Sequence, residues 1–74
     1  MPENRKEVLG SFGLRLRELR ISKGLTQEEL ATLADLNRNY VNQVEAGRRN
    51  VSILNIVRIA NALEVEQWEL LKWD

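Results

Sequence analysis

The sequence predicts an all-α fold: a compact five-helix bundle built around a helix-turn-helix. Three observations point there. Apolar residues recur at helical spacing in five successive segments, at about residues 5–22, 27–34, 38–45, 53–63 and 66–72. Residues that cap helices, Asn4, Thr26, Asn37 and Ser52, stand just ahead of the first four segments, and Gly24 and Gly47 follow two of them. The single proline is Pro2, so nothing breaks a helix further along. Seventy-four residues make one domain, taken as 1–74, with a core near the lower limit for independent folding.

The first helix opens on Asn4-Arg5-Lys6-Glu7, a spacing that can form a capping box. Val8, Phe12, Leu16 and Leu19 follow on one stripe. Gly10 and Gly13 each weaken the helix by up to ~1 kcal/mol relative to alanine, so its first turns are expected to fray. Gly24 suits a left-handed position after the helix, and Leu25 can pack back against it. Thr26 and Glu29 form a second capping-box pair, with Leu30, Ala31 and Leu33 as the apolar positions behind it. Asp35-Leu36-Asn37 breaks that run. Asn37 then caps the third helix, where Val41 and Val44 face one way, and Gly47 closes it. Ser52 caps the fourth, in which Ile53, Ile56, Val57, Ile59, Ala60 and Leu63 supply a broad apolar face. Val65 to Asp74 reads as a short fifth helix holding Trp68, Leu70, Leu71 and Trp73. The expected core is Phe12, Leu16, Leu19, Leu25, Leu30, Ala31, Val41, Val44, Ile56, Ile59, Ala60 and Leu63.

Composition removes several functions. There is no cysteine and no histidine, which excludes disulfides and thiolate or imidazole metal sites, and no cofactor is expected. No serine or carboxylate stands beside an evident base, so an enzyme is not expected. No apolar run reaches the ~20 residues of a membrane span and the start of the chain lacks an apolar signal core, so a soluble, cytoplasmic protein is expected. Eleven basic residues balance eleven acidic ones, whereas a nucleic-acid-binding domain is usually basic. The balance is uneven along the chain. Residues 1–50 carry nine Lys/Arg against seven Asp/Glu, and residues 51–74 carry two against four. Phosphate contacts must therefore be concentrated, and strong non-specific binding is not expected.

The third helix carries the chemistry. Its outward face holds Arg38, Asn39, Asn42 and Gln43 and no acid. Those side chains bond bidentately to guanine and adenine edges, so the second helix of the helix-turn-helix is read as entering the DNA major groove. Arg38 suits a guanine, and Asn39 or Gln43 an adenine; a solvated helix face is the plain alternative. Gln27 opens the second helix, where free amides and the positive dipole end attract a phosphate. Arg48 and Arg49, in the loop after the third helix, are candidates for phosphate or an adjacent groove, and Asn37, at the start of that helix, is a further phosphate candidate. Tyr40 can bond a phosphate through its hydroxyl or pack inward. Leu54 lies between core positions on the fourth helix and should point outward. With Val57, Trp68 and Leu71 it forms a candidate self-complementary surface for a homodimer, unless Trp68 folds back on its own chain.

These residues also carry a resemblance. Gly24-Leu25-Thr26-Gln27-Glu28-Glu29-Leu30-Ala31, Tyr40-Val41, Glu45, Gly47, Ser52 and Ile59-Ala60 are similar to the helix-turn-helix domain of phage repressors of the Cro and lambda-repressor type. The match runs from about Phe12 to Leu71. Within that family, Leu36 to Val41 and Glu45 to Ser52 look most like the controller proteins of restriction–modification systems. The resemblance implies a small dimer on an operator with an inverted repeat, activating its own gene and an endonuclease gene and then repressing them when a second dimer loads. It implies that Gln27 grips the DNA backbone. It implies that Arg20 and Glu45 form a partly buried salt bridge between the first helix and the end of the third. It also implies that Glu28, Glu29 and Asp35 form an activating patch for RNA polymerase, although capping and dipole compensation account for part of Glu29. The chain departs from the family at Asp35 and Glu64, where glycine is frequent; aspartate tolerates a left-handed backbone better than most residues. A phage- or plasmid-type repressor or a DNA-binding antitoxin is the alternative within the class. From another class, a protein-interaction module without DNA binding would suit the zero net charge.

Overall fold

Each α-helix is started by a side chain and stopped by one backbone device. In the computed structural model, which describes residues 4–73, the order is α1 (Arg5–Ser22), α2 (Gln27–Ala34), α3 (Arg38–Glu45) and α4 (Ile53–Leu63), followed by a 3-10 helix (Gln67–Leu71). Pro2 lies outside the described residues. At the starts, Asn4 accepts from the Glu7 amide at 3.1 Å, Thr26 from Glu29 at 3.0 Å, Asn37 from Tyr40 at 2.8 Å and Ser52 from Asn55 at 3.1 Å. Only Thr26 of these has the reciprocal bond of a full box, from its own amide to Glu29 at 2.9 Å; Asn4 and Glu7 make half of the expected one.

At the stops, an amide reaches back five residues. Leu25 donates to the Arg20 carbonyl at 3.2 Å, Leu36 to Ala31 at 2.8 Å, Arg48 to Gln43 at 2.9 Å and Val65 to Ala60 at 3.0 Å. The closure needs a left-handed residue just before the donor. Gly24 and Gly47 meet that need with φ of 73° and 75°, and Asp35 and Glu64 adopt it with φ of 58° despite their side chains. For a residue with a Cβ this costs roughly 1–2 kcal/mol, less for aspartate than for glutamate.

The core gathers residues from every element: Phe12 and Leu16 from α1, Leu30, Ala31 and Ala34 from α2, Val41 and Val44 from α3, Ile59, Ala60 and Leu63 from α4, and Leu70 from the 3-10 helix. Leu19, Leu25 and Ile56, expected inside, are half-buried against it. Three other apolar residues lie outside the stripes that periodicity put them on. Val8, Leu33 and Ile53 are 46%, 60% and 81% exposed. Val8 sits where an eighteen-residue α1 overhangs its shorter partners, the eight-residue α3 and the five-residue 3-10 helix. Leu33 loses the buried face of α2 to the smaller Ala34, and Ile53 is the first residue of α4, with no preceding turn to cover it.

Of the two glycines in α1, Gly13 is the one that packing confines to glycine. The helix runs unbroken from Arg5 to Ser22. Gly13 is buried under the end of α3, where an added Cβ would stand 2.5 Å from the carbonyl oxygens of both Val44 and Glu45. Gly10 lies against Gly47, so the backbones of α1 and the α3 closure meet where no side chain intervenes.

The last element corrects the expected fifth α-helix at 66–72. It is one short 3-10 segment, with the Glu69 amide donating to the Glu66 carbonyl at 3.0 Å. Five residues are too few to sustain an α-helix without help. The Glu69 carbonyl accepts from Arg15 Nε of α1 at 2.7 Å as well as from the Lys72 amide at 3.5 Å, which ties the segment to α1. The tighter turn still drives Leu70 fully into the core while Trp68 and Leu71 flank it outside.

Candidate nucleic-acid interface

The face of α3 predicted to meet DNA is open. Arg38, Asn39, Asn42 and Gln43 are all exposed, while Val41 and Val44 on the opposite side are buried. The helix has only eight residues, so its rigidity comes from its ends: Asn37 caps the start, the Gly47 closure holds the stop, and Gly13 receives its last carbonyls.

Behind that face lies a bonded series of four side chains. Arg20 on α1 meets Glu45 at the end of α3 in a two-point pair, Nε to Oε2 at 2.6 Å and Nη2 to Oε1 at 3.0 Å. The third guanidinium nitrogen donates to the Leu25 carbonyl at 2.7 Å. Glu45 is nearly enclosed, its side chain 4% exposed against 11% for Arg20. The hydrogen bond from Arg20 to Glu45 raises the guanidinium pKa; burial opposes this and the carboxylate charge adds to it. A raised folded-state pKa means that the arginine's contribution is complete below its unfolded value and is lost only as pH rises through the folded one. Arg20 is therefore charged throughout the range in which such a protein works. The series continues outward. Gln27, the first residue of α2, donates its amide to Glu45 Oε1 at 3.0 Å, and Asn42 donates to Gln27 Oε1 at 3.2 Å. So the pair between α1 and α3 extends through α2 to the exposed face.

The structure gathers the predicted phosphate residues into two groups. Gln27 borders two shallow depressions beside α3. Arg38, Thr26 and Glu28 complete one; Arg17, Asn42, Glu45 and Ala46 complete the other, with Arg20 at both. Arg17 was not among the sequence candidates. It lies one turn before Arg20 on the same face of α1, and that spacing was the available signal. The second group gathers around Tyr40 and the loop that follows α3. Tyr40 packs its ring against the core and carries Arg49 over that ring, 5.1 Å from the centroid. Of the two Tyr40 alternatives the ring takes the inward one, and its hydroxyl accepts from Asn55 Nδ2 at 3.0 Å. Asn55 is a second residue that sequence reasoning missed; Arg48 is exposed in the same loop.

Elsewhere, Glu28 and Leu33 on α2 and Asp35 just after it are exposed, and Glu29 spends one carboxylate oxygen on the Thr26 amide. On the far side, Leu54, Trp68 and Leu71 are 59%, 59% and 54% exposed and Val57 is half-buried. Trp68 does not fold into its own chain; Lys72 covers its ring at 5.8 Å. No helix of the described residues is long and apolar enough to cross a membrane.

Comparison with known proteins agrees with this geometry. A helix-turn-helix family model matches residues 16–66. The control protein C.BamHI of Bacillus amyloliquefaciens is 46% identical over 61 residues, covering 81% of this chain and 75% of that protein. The control protein C.MunI of a Mycoplasma species is 42% identical over 60 residues, 80% of this chain and 81% of that one. The crystal structure of the restriction–modification controller protein C.AhdI from Aeromonas hydrophila is 58% identical, with a TM-score of 0.83 over 84% of this chain and 94% of its own.

Proposed function

We propose, from the premise that this chain belongs to the helix-turn-helix family, that it is a sequence-specific DNA-binding transcriptional regulator of the restriction–modification controller kind. The observation that supports this best is the α3 face: four base-reading side chains exposed together on a helix whose two ends are locked. Arg38, Asn39, Asn42 and Gln43 read base edges. Gln27, Asn37, Tyr40, Arg48 and Arg49, joined by Arg17, hold phosphates. Arg20 and Glu45 stay structural, because their charges are consumed by each other.

The active form is a homodimer. Leu54 and Val57 are three residues apart on α4, and Trp68 and Leu71 three apart on the 3-10 helix, a spacing that aligns side chains in both helix types. α4 and the 3-10 helix pack together, so the two pairs border one apolar surface. A two-fold axis through it sets the α3 helices one DNA turn apart, ~34 Å, for half-sites ~10 base pairs centre to centre. In that arrangement the dimer acts in the cytoplasm on its own gene and an endonuclease gene, activating first and repressing as a second dimer loads. Glu28, Asp35 and Leu33 give α2 an acidic and apolar outer patch for RNA polymerase, with Glu29 largely committed to its cap.

The test is a gel shift across salt concentrations on operator and random duplexes. Phosphate contacts make log K fall linearly with log salt. Arg38→Ala should relax specificity at one base pair per half-site, by ~1–3 kcal/mol. Equal loss on operator and random DNA counts against the assignment. The zero net charge favours a protein-interaction module instead, and binding that ignores salt would support that reading.

A further inference from the structure

We infer that Gln27 orients Asn42 so that its carbonyl oxygen faces the groove, where it accepts a hydrogen bond from the exocyclic amino group of adenine or cytosine. The inference rests on the DNA reading of α3 and deepens it. It follows from the direction of the four-residue series. The Glu45 carboxylate, held by Arg20 at 2.6 and 3.0 Å, can only accept. Gln27 approaches the same oxygen at 3.0 Å and so must present its amide nitrogen. That turns the Gln27 carbonyl oxygen away from Glu45, and it too can only accept. Asn42 meets it at 3.2 Å and so must present its own nitrogen there. The Asn42 carbonyl oxygen is left on the solvent side.

A free asparagine can offer either end of its amide to a base. Here a nearly enclosed charge pair imposes one direction, relayed through Gln27, which makes Gln27 a positioning residue for Asn42. In the major groove adenine N6 and cytosine N4 donate, whereas guanine O6 and N7 and thymine O4 accept. An outward oxygen matches the first two and is repelled by the others. One position per half-site should therefore admit adenine or cytosine on the contacted strand and reject guanine or thymine.

The experiment begins by selecting sites from a random duplex pool with the wild-type chain and with Asn42→Ala. The position whose preference Asn42→Ala erases is the one Asn42 reads. At that position wild type should favour adenine or cytosine over guanine or thymine by about tenfold or more. If adenine is preferred, replacing it with purine, which lacks the amino group, should cost wild type a similar factor. If cytosine is preferred, its counterpart without the amino group serves. Gln27→Met keeps the side chain length and leaves the Arg20–Glu45 pair in place. It should weaken binding on all sites through a lost phosphate contact. It should also shrink the preference at the Asn42 position to about twofold or less, as expected once an asparagine can present either end. Four results overturn the orientation while leaving the DNA reading standing: wild type favouring guanine or thymine there, Asn42→Ala changing no position, no loss on removing the amino group, or Gln27→Met with the full preference. A wild-type chain that binds no duplex in a salt-dependent way overturns both.

Discussion

Replacing Gly13 with alanine should cost this domain about 2 kcal/mol, and replacing Gly10 with alanine should stabilise it. Both glycines lie in the same helix, three residues apart, so intrinsic propensity favours alanine at each by up to ~1 kcal/mol. The surroundings differ. At Gly10 a new Cβ meets nothing within 4 Å, so the propensity gain should appear almost undiminished. At Gly13 it would lie 2.5 Å from two backbone oxygens, about 0.9 Å inside ordinary contact. Those oxygens belong to Val44 and Glu45, which cannot swing aside as a side chain would. α1 must lift off α3, and overpacking of this kind costs ~1–3 kcal/mol. Taking the upper end, because two carbonyls are struck, and subtracting the propensity gain leaves the ~2 kcal/mol stated. For a chain of this size each kcal/mol moves the midpoint by about 4–8 °C. Thermal unfolding followed by far-ultraviolet circular dichroism, at one fixed protein concentration, should show a fall of roughly 10 °C for Gly13→Ala and a rise of about 2–8 °C for Gly10→Ala. If both variants rise together, the close crossing of α1 over the end of α3 is not what confines position 13 to glycine.

Glu64→Gly should stabilise by ~0.5–1 kcal/mol, because relief of a left-handed glutamate exceeds the extra freedom glycine has when unfolded; Asp35→Gly should gain less, and a chemical denaturation midpoint that falls for both would show that the closures carry no strain. Glu45→Ala leaves the Arg20 charge without its partner and Gln27 without its acceptor, and should cost ~3 kcal/mol of stability before any effect on DNA affinity. A Glu45→Ala protein that melts like wild type but fails to bind would move Glu45 from structure to recognition. Replacing Leu54 or Trp68 with serine should reduce the sedimentation mass at micromolar concentration from two chains to one with helical content unchanged, and a wild type that already sediments as one chain would remove the proposed surface.

Much of this fold stands in the sequence because each helix is bounded by local chemistry. Thr26 with Glu29, Asn37 and Ser52 are starts that need no knowledge of the rest of the chain, and Gly24 and Gly47 are equally local stops. The stops at Asp35 and Glu64 are harder to read, since neither residue favours a left-handed backbone. Their closures are driven by the apolar residues that follow, Leu36 and Val65, which pack against the core. Misplaced residues share a different cause. Periodicity gives Leu33 more weight than Ala34 because leucine is more apolar. In the fold Ala34 is buried and Leu33 is exposed, because which face of α2 is covered is decided by the helices packed on it. The same limit hides why Gly13 is glycine, and that Arg15 on α1 reaches the Glu69 carbonyl of the 3-10 helix.

The recognition face shows this division within one site. That Arg38, Asn39, Asn42 and Gln43 point outward follows from helical spacing against Val41 and Val44, and is legible without coordinates. Which end of an amide points outward is not, because asparagine carries a donor and an acceptor on one planar group. The choice at Asn42 is made 15 residues away by Gln27, and at Gln27 by a carboxylate a further 18 residues along that an arginine on α1 holds in place. No spacing rule covers that route, since it crosses three helices. It does have a consequence a sequence reader could use. Wherever Gln27 and Glu45 occur together with an amide at position 42, that amide's direction is set by the fold, and the base it reads should vary less than the bases read by freely rotating neighbours. Exchanging Asn42 for glutamine, which is longer by one methylene, should therefore disturb the base preference at that position more than the same exchange at Asn39, where the side chain is exposed without that tether.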